Sequence, residues 1–256
     1  MESYALLIAA TLNAGTVLAL AALGLLINEK AGVVNLGAEG LMLCAAIAGF
    51  ACVVHTGNDW LGFAAGMGAG AVLAAIFGVL VIWLGTNQYA TGLALSLFGV
   101  GFSAFVGIGY VQEKLPERAS YAIPGLADIP LIGPALFKQH PLVYVAMLLV
   151  LALVWFLYKS RTGLVLRAVG ESHEAAHALG YKVNRIRLGA IMFGGAMAGM
   201  GGAYVSLVRV PQWVDGITSG AGWIALAIVV FASWKPWRVL LGAYLFGGIT
   251  VLQLNL

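Results

Sequence analysis

Long apolar runs without charge, each near the length of a bilayer crossing, constrain this chain more than any other feature. Crossing the hydrocarbon takes about 20 helical residues at about 1.5 Å rise each. Such runs fall at 4–27, 36–54, 60–84, 91–110, 141–158, 188–207, 221–234 and 237–255, the seventh short enough for a broken or re-entrant helix. Lipid offers no partner to a free backbone N–H or C=O, so these runs must be helical, and the alternation of a barrel is missing. The fold class is all-α, a polytopic membrane helix bundle of about eight spans in a single transmembrane domain over 1–256. Composition agrees: 62% of residues are apolar and 9% charged, against roughly a quarter charged in globular domains.

Lys and Arg orient the bundle, because short cytoplasmic loops collect them. The stretch 159–187 holds Lys159, Arg161, Arg167, Lys182, Arg185 and Arg187, which places it in the cytoplasm. Alternating spans bring Lys30, Lys235 and Arg238 to the same side. The opposite side receives Lys114, Arg118, Lys138 and Arg209, together with Glu2, Asp59, Glu113, Glu117, Asp128 and Asp215, so the N-terminus is external. The first run lacks a basic leader and is too long for a signal-peptide core, so it stays as a helix. Cys44 and Cys52 share one helix about 12 Å apart along its axis, too far for a disulfide. The net charge of +3 comes without a basic stripe or an aromatic platform, which leaves no nucleic-acid surface.

Three segments interrupt the spans. A polar, Gly-rich turn runs from Asn28 to Gly40. An external loop, 111–140, holds four of the seven prolines, and loops of that length in compact proteins usually bind or gate something. The third is the cytoplasmic loop 159–187. Two helical faces carry small residues at four-residue spacing: Gly62, Gly66, Gly70, Ala74 and Gly78, and Gly194, Ala198 and Gly202. Such faces let backbones approach closely in lipid, either as a tight static bundle or as smooth surfaces that slide.

Within 159–187 the string His173-Glu174-Ala175-Ala176-His177 has the form H-E-x-x-H. On a helix it would present two imidazoles to a zinc ion, with the glutamate as general base. Gly180 extends the match, but Val183 stands where a third ligand would be and cannot bind metal. The alternative of an intramembrane zinc metalloprotease therefore lacks its third ligand, and no metal site is expected. No Walker A string occurs, so ATP, if it drives this protein, binds another chain.

The same stretch has a simpler reading. Ser172 can cap a short helix, Glu174 favours its N-terminus, and Gly180 can end it in the left-handed conformation. Ala175, Ala176, Ala178 and Leu179 give it a small apolar face suited to a groove on a soluble partner or to a membrane surface. Glu39 is the one carboxylate that enters a span. It is a functional suspect on cost alone, or a complement to its own helix dipole with Asn35 as N-cap.

Five blocks then carry a resemblance. They are Glu29 to Met42 (EKAGVVNLGAEGLM), Asn87 to Leu95 (NQYATGLAL), Ile123 to Pro130 (IPGLADIP), Val169 to Ala176 (VGESHEAA) and Gly222 to Val229 (GWIALAIV). In this order and across nearly the whole chain, they are similar to the permeases of ABC importers for branched-chain amino acids, ribose-type sugars and nucleosides. Within that class the nucleoside or simple-sugar branch fits best. The resemblance implies a permease that forms the translocation path and couples to a separate ATPase, with ATP and Mg bound there and no cofactor in this chain.

It also implies a second permease subunit, identical or homologous, an extracytoplasmic substrate-binding lipoprotein, and residence in a bacterial cytoplasmic membrane. Nucleosides are the first expected cargo, sugars the second and branched-chain amino acids the third. The coupling helix would use Glu171, Ser172, Glu174, Ala175, Ala176, Leu179 and Gly180. The substrate path would draw on Asn35, Glu39, Asn87, Gln88 and Trp223. Family members usually continue past the position of Leu256 by at least one span. A non-transporting scaffold is a further alternative.

Overall fold

Three of the apolar runs begin where a side chain occupies the free amides of a first helical turn. The computed structural model describes residues 2–116, 121–122, 133 and 136–255. Helix α1 (Glu2–Lys30) is followed by α2 (Ala38–Thr56) and α3 (Asp59–Ile82), the last capped by Asn58 Oδ1, which accepts from Trp60 N–H at 2.9 Å. Asn87 caps α4 (Gln88–Gly107) in the same way, and a 3-10 turn, Ile108–Tyr110, extends it. His140 precedes Pro141 at the start of α5 (Pro141–Lys159), where a missing N–H costs nothing.

The basic stretch forms two further helices, α6 (Arg161–Glu171) and α7 (His173–Ala178). Then come α8 (Val183–Tyr204), with a π-helical continuation Val205–Arg209, α9 (Ala221–Phe231) and α10 (Pro236–Asn255).

Six of the described helices are long and apolar enough to cross a membrane: α1 from Ala5, α2, α3, α4 through Tyr110, α5, and α8 through Arg209. The sequence suggested about eight. The seventh run, expected over 221–234, stops at Phe231 because Ser233 and Trp234 take positive φ values of 51° and 54°. Its 11 residues reach about 16 Å, roughly half the hydrocarbon. The eighth run forms α10, 20 residues long.

Among the described residues, the 111–140 loop also holds a short strand pair. There β1 (Tyr121–Ala122) pairs antiparallel with β2 (Lys138–Gln139). The family-like block 123–130, along with Glu117, Arg118, Asp128, Pro124, Pro130 and Pro134, lies outside the described residues.

Helices α2 and α8 form the centre. The most apolar windows of α2 and α8 are 72% and 78% buried, against 28% for α3 and α4. Small residues make this possible. The α3 face with Gly66 and Gly70 meets Gly199 and Gly195 of α8, while Gly194 and Gly202 sit against Asn28 of α1 and Met42 of α2. Helix α8 thus has two small faces and is gripped from both sides. Contacts also sort the chain by end. Lys30, Gly170 and the Arg187 guanidinium meet around Gly32, and the Trp234 indole N–H donates to Glu29. At the other end Leu115 N–H donates to Pro211 O at 2.9 Å, and His55 pairs with the Tyr110 hydroxyl at 3.0 Å. This grouping agrees with the alternation inferred from charge.

Candidate functional site

Residues 31–37 join α1 to α2 through a series of specific hydrogen bonds. Val33 N–H donates to Asn28 O at 3.1 Å, and Val34 N–H donates to the side chain of Gln88 at 3.2 Å. The Leu36 carbonyl accepts from Ser96 Oγ at 2.9 Å. Gly37 N–H donates to Asn35 Oδ1 at 2.8 Å. Asn35 therefore closes its own turn instead of capping α2. The N-cap position falls on Gly37, which makes no side-chain cap bond. The expected cap is corrected because an Asx-type turn uses up Asn35 two residues before the N-cap position.

Glu39 follows in the first turn of α2 and is 7% exposed. Its carboxylate faces the start of another helix. Oε1 accepts from Gly220 N–H at 2.9 Å and from the Thr218 hydroxyl, and Oε2 accepts from Gly222 N–H at 2.7 Å. Gly220 is the N-cap of α9, and its positive φ of 84° aims the loop amides inwards. A helix N-terminus presents unpaired amides and partial positive charge, so an anionic acceptor placed there is favoured on both counts. Glu39 thereby ties α2 to α9 across the bundle and supports more than its own helix.

The candidate path residues converge only in part. Asn35, Glu39 and Gln88 share the 31–39 segment. Trp223 joins them through its neighbour Gly222 and leaves its ring 41% exposed. Asn87 is adjacent in sequence, but its side chain is committed to the amides of Tyr89 and Ala90. The sequence reading missed Ser96, Thr218, Gly220 and Gly222 as partners. A Thr-Ser-Gly-Ala-Gly string just before an apolar run was the available signal, because glycines there mark an exposed helix start.

Helix α7 has the expected ends. Ser172 Oγ accepts from Ala175 N–H at 3.2 Å, and Gly180 adopts φ of 84°. Its faces differ from expectation. Ala176 is buried at 3% exposure and packs with Val169 and Val183, so it anchors the helix and is not open to a partner. The outward face carries Glu174, Ala175, Ala178 and Leu179, the last 76% exposed, while Glu171 ends α6.

His173 turns back onto the bundle: a Cβ added at Gly32 would lie 2.9 Å from His173 Cε1. Burial, and then the nearby Arg187, lower its pKa. His177 is exposed. Among the described residues no group of three or more His, Cys, Asp or Glu side chains converges as a metal ion would need.

Six bilayer-length helices, two of them central, with short capped helices at one end, define a polytopic membrane protein. Residues 7–256 match the family described as the permease component of the branched-chain amino acid transport system, and the chain belongs to that family. It is 46% identical over its whole length to a Haloferax volcanii protein provisionally named a glucose ABC transporter permease, covering 79% of that protein. It is 34% identical over 96% of its length to a guanosine ABC transporter permease of Bacillus subtilis, covering 81% of it. A nucleoside ABC transporter permease of Lactococcus lactis is 30% identical over 98% of the chain, with 83% of that protein covered. The chain is an ABC importer permease of the sugar and nucleoside class.

Proposed function

We infer that this permease carries a neutral, hydroxyl-rich solute, a sugar or the sugar-bearing nucleoside, inwards across a prokaryotic cytoplasmic membrane. Relatives named for glucose and for guanosine support that common chemistry and leave both cargoes open. A cytoplasmic ATPase partner holds the ATP and Mg and does the hydrolysis. A second permease subunit completes the path, and an extracytoplasmic binding lipoprotein delivers solute on the 111–140 side. Asn35, Glu39, Gln88 and Trp223 lie beside the path, with Asn87 setting the start of α4.

The observation that carries this reading is the shape of α7: a six-residue helix, capped at both ends, anchored by Ala176 and presenting Leu179 outwards. Its His173 lies on Gly32, at the start of the segment that leads to Glu39. The test is uptake of labelled glucose and of labelled guanosine by cells expressing the complete transporter, each with the other as competitor. Uptake of one or both, lost on deleting this chain, is expected. Unchanged uptake of both would remove the reading and favour a non-transporting scaffold.

A further inference from the structure

A cavity of about 720 Å³ opens beneath α6, between α5 and α8. Leu149, Leu153, Phe156, Val165 and Phe193 line it, with Gly189 in its wall. Arg161 is the one charged side chain in the lining, and no carboxylate is. Trp155 and Tyr181 also line the cavity while remaining 64% and 42% exposed, so it is open at its edge. Leu148 and Leu151, on the same helix as Trp155, are 63% and 68% exposed. In a membrane span such side chains face lipid.

Helix α6 has the sequence of an interfacial helix. Arg161, in its first turn, lines the cavity with Val165 and Leu166, Arg167 lies over the Tyr158 ring, and Leu164 is 59% exposed. An amphipathic helix of this kind lies at the boundary of headgroups and acyl chains, which puts the space below it at acyl-chain depth. Trp and Tyr at the rim match the belt that these residues form at a membrane interface. Lys159, Lys182 and Arg185 are exposed nearby in sequence on the same basic end. Basic pockets between spans on the cytoplasmic side are suited to anionic headgroups.

We propose that this cavity is a specific site for an anionic phospholipid, with an acyl chain in the apolar space under α6 and the phosphate on Arg161. The occupant differs from bulk lipid in being held by a shaped wall and one guanidinium. The site is independent of the transported solute, so its test does not depend on the identity of the cargo.

The wall supplies the test. A Cβ added at Gly189 meets no atom within 4 Å, and replacing a helical glycine favours the helix. Gly189→Leu therefore places a branched side chain in the cavity wall without strain and narrows the space an acyl chain would use. Purified full chain would be titrated with phosphatidylglycerol, and separately with phosphatidylcholine of the same chains, and read by native mass spectrometry. The unaltered protein should retain phosphatidylglycerol saturably, about fivefold in preference to phosphatidylcholine. Gly189→Leu should lose retention of both at an unchanged melting temperature. Arg161→Gln should keep retention and lose the preference. Retention unaffected by Gly189→Leu, or a preference that survives Arg161→Gln, overturns the site. So does a Gly189→Cys crosslink from this wall to another polypeptide in the assembled transporter.

Discussion

The Gly222 amide donates to Oε2 of Glu39 at 2.7 Å across 183 positions of sequence, joining the first turns of two helices that are remote in the chain. The Gly220 amide and the Thr218 hydroxyl complete the set on Oε1. One carboxylate thus fixes where α9 starts.

Glu39→Gln keeps the shape but turns one acceptor into a donor. With three donors facing it, the amide must leave at least one unsatisfied, and bonds to a charged group are worth about 1.5–3 kcal/mol. We expect a loss of about 2 kcal/mol in stability and a strong fall in uptake, with the protein still inserted. Thermal unfolding in detergent, paired with transport, checks this. An unchanged melting temperature would show that the tie is not needed.

On the proposed role of α7 as the element that engages the ATPase, its buried and exposed faces make separate predictions. Ala176→Glu places a charge against Val169 and Val183, which costs several kcal/mol without a partner. It should loosen α7 and lower protein levels. Leu179→Asp changes an exposed side chain and should leave levels near normal while abolishing substrate-stimulated ATP hydrolysis by the partner. Stimulation that persists in Leu179→Asp would remove α7 as the coupling element. Gly180→Val should be milder, since its cost is the left-handed backbone alone, about 1–2 kcal/mol.

The long helices, their order and the ends of α7 were legible in the sequence because lipid allows one solution for an uncharged run of 20 residues, and because Ser172 and Gly180 have local preferences. The contacts of Glu39 were not legible. A carboxylate at a helix start looks the same whether it serves its own helix or a distant one, and only the fold brings Gly220 and Gly222 to it. Ala176 was misjudged for a related reason. On so short a helix, alanines on opposite faces cannot be told apart by periodicity. The extent of α9 depended on backbone at Ser233 and Trp234, where neither residue type announces a positive φ.

The α2–α4 crossing is close enough that a side chain has no room. A Cβ on Gly99 would run into the backbone of Gly40, whereas one on Gly101 meets nothing within 4 Å. Gly99→Leu should therefore force the helices apart, costing about 3 kcal/mol or more as overpacking, and show as aggregation in size-exclusion profiles. Gly101→Leu, two residues on, should behave as the parent. Similar profiles for both variants would contradict this packing.

Acid should loosen the contact of His173 with Gly32. The folded pKa is lowered, so the unfolded or detached state binds the proton more readily. Stability is then full above the ordinary value near 6.5 and declines as pH falls through it, levelling off below the folded pKa. The protection factors of the Val33 and Val34 amides, taken against the intrinsic exchange rate at each pH, should fall between about pH 7.5 and pH 5.5, with Arg187 adding to the repulsion of the charged ring. His173→Gln should flatten that dependence. An equally steep profile in His173→Gln would place the titrating group elsewhere.

The bonds along 31–37 have a mechanical consequence. Gly32 touches His173 and Gly170, and Glu39 holds α9. Between them Val33, Val34, Leu36 and Gly37 are each fastened to a different neighbour. A loosely tethered loop would absorb a displacement at His173 as slack. This segment has none to give, so it behaves as a strut. A push on its outer end must either move the start of α9 or break a bond along the way.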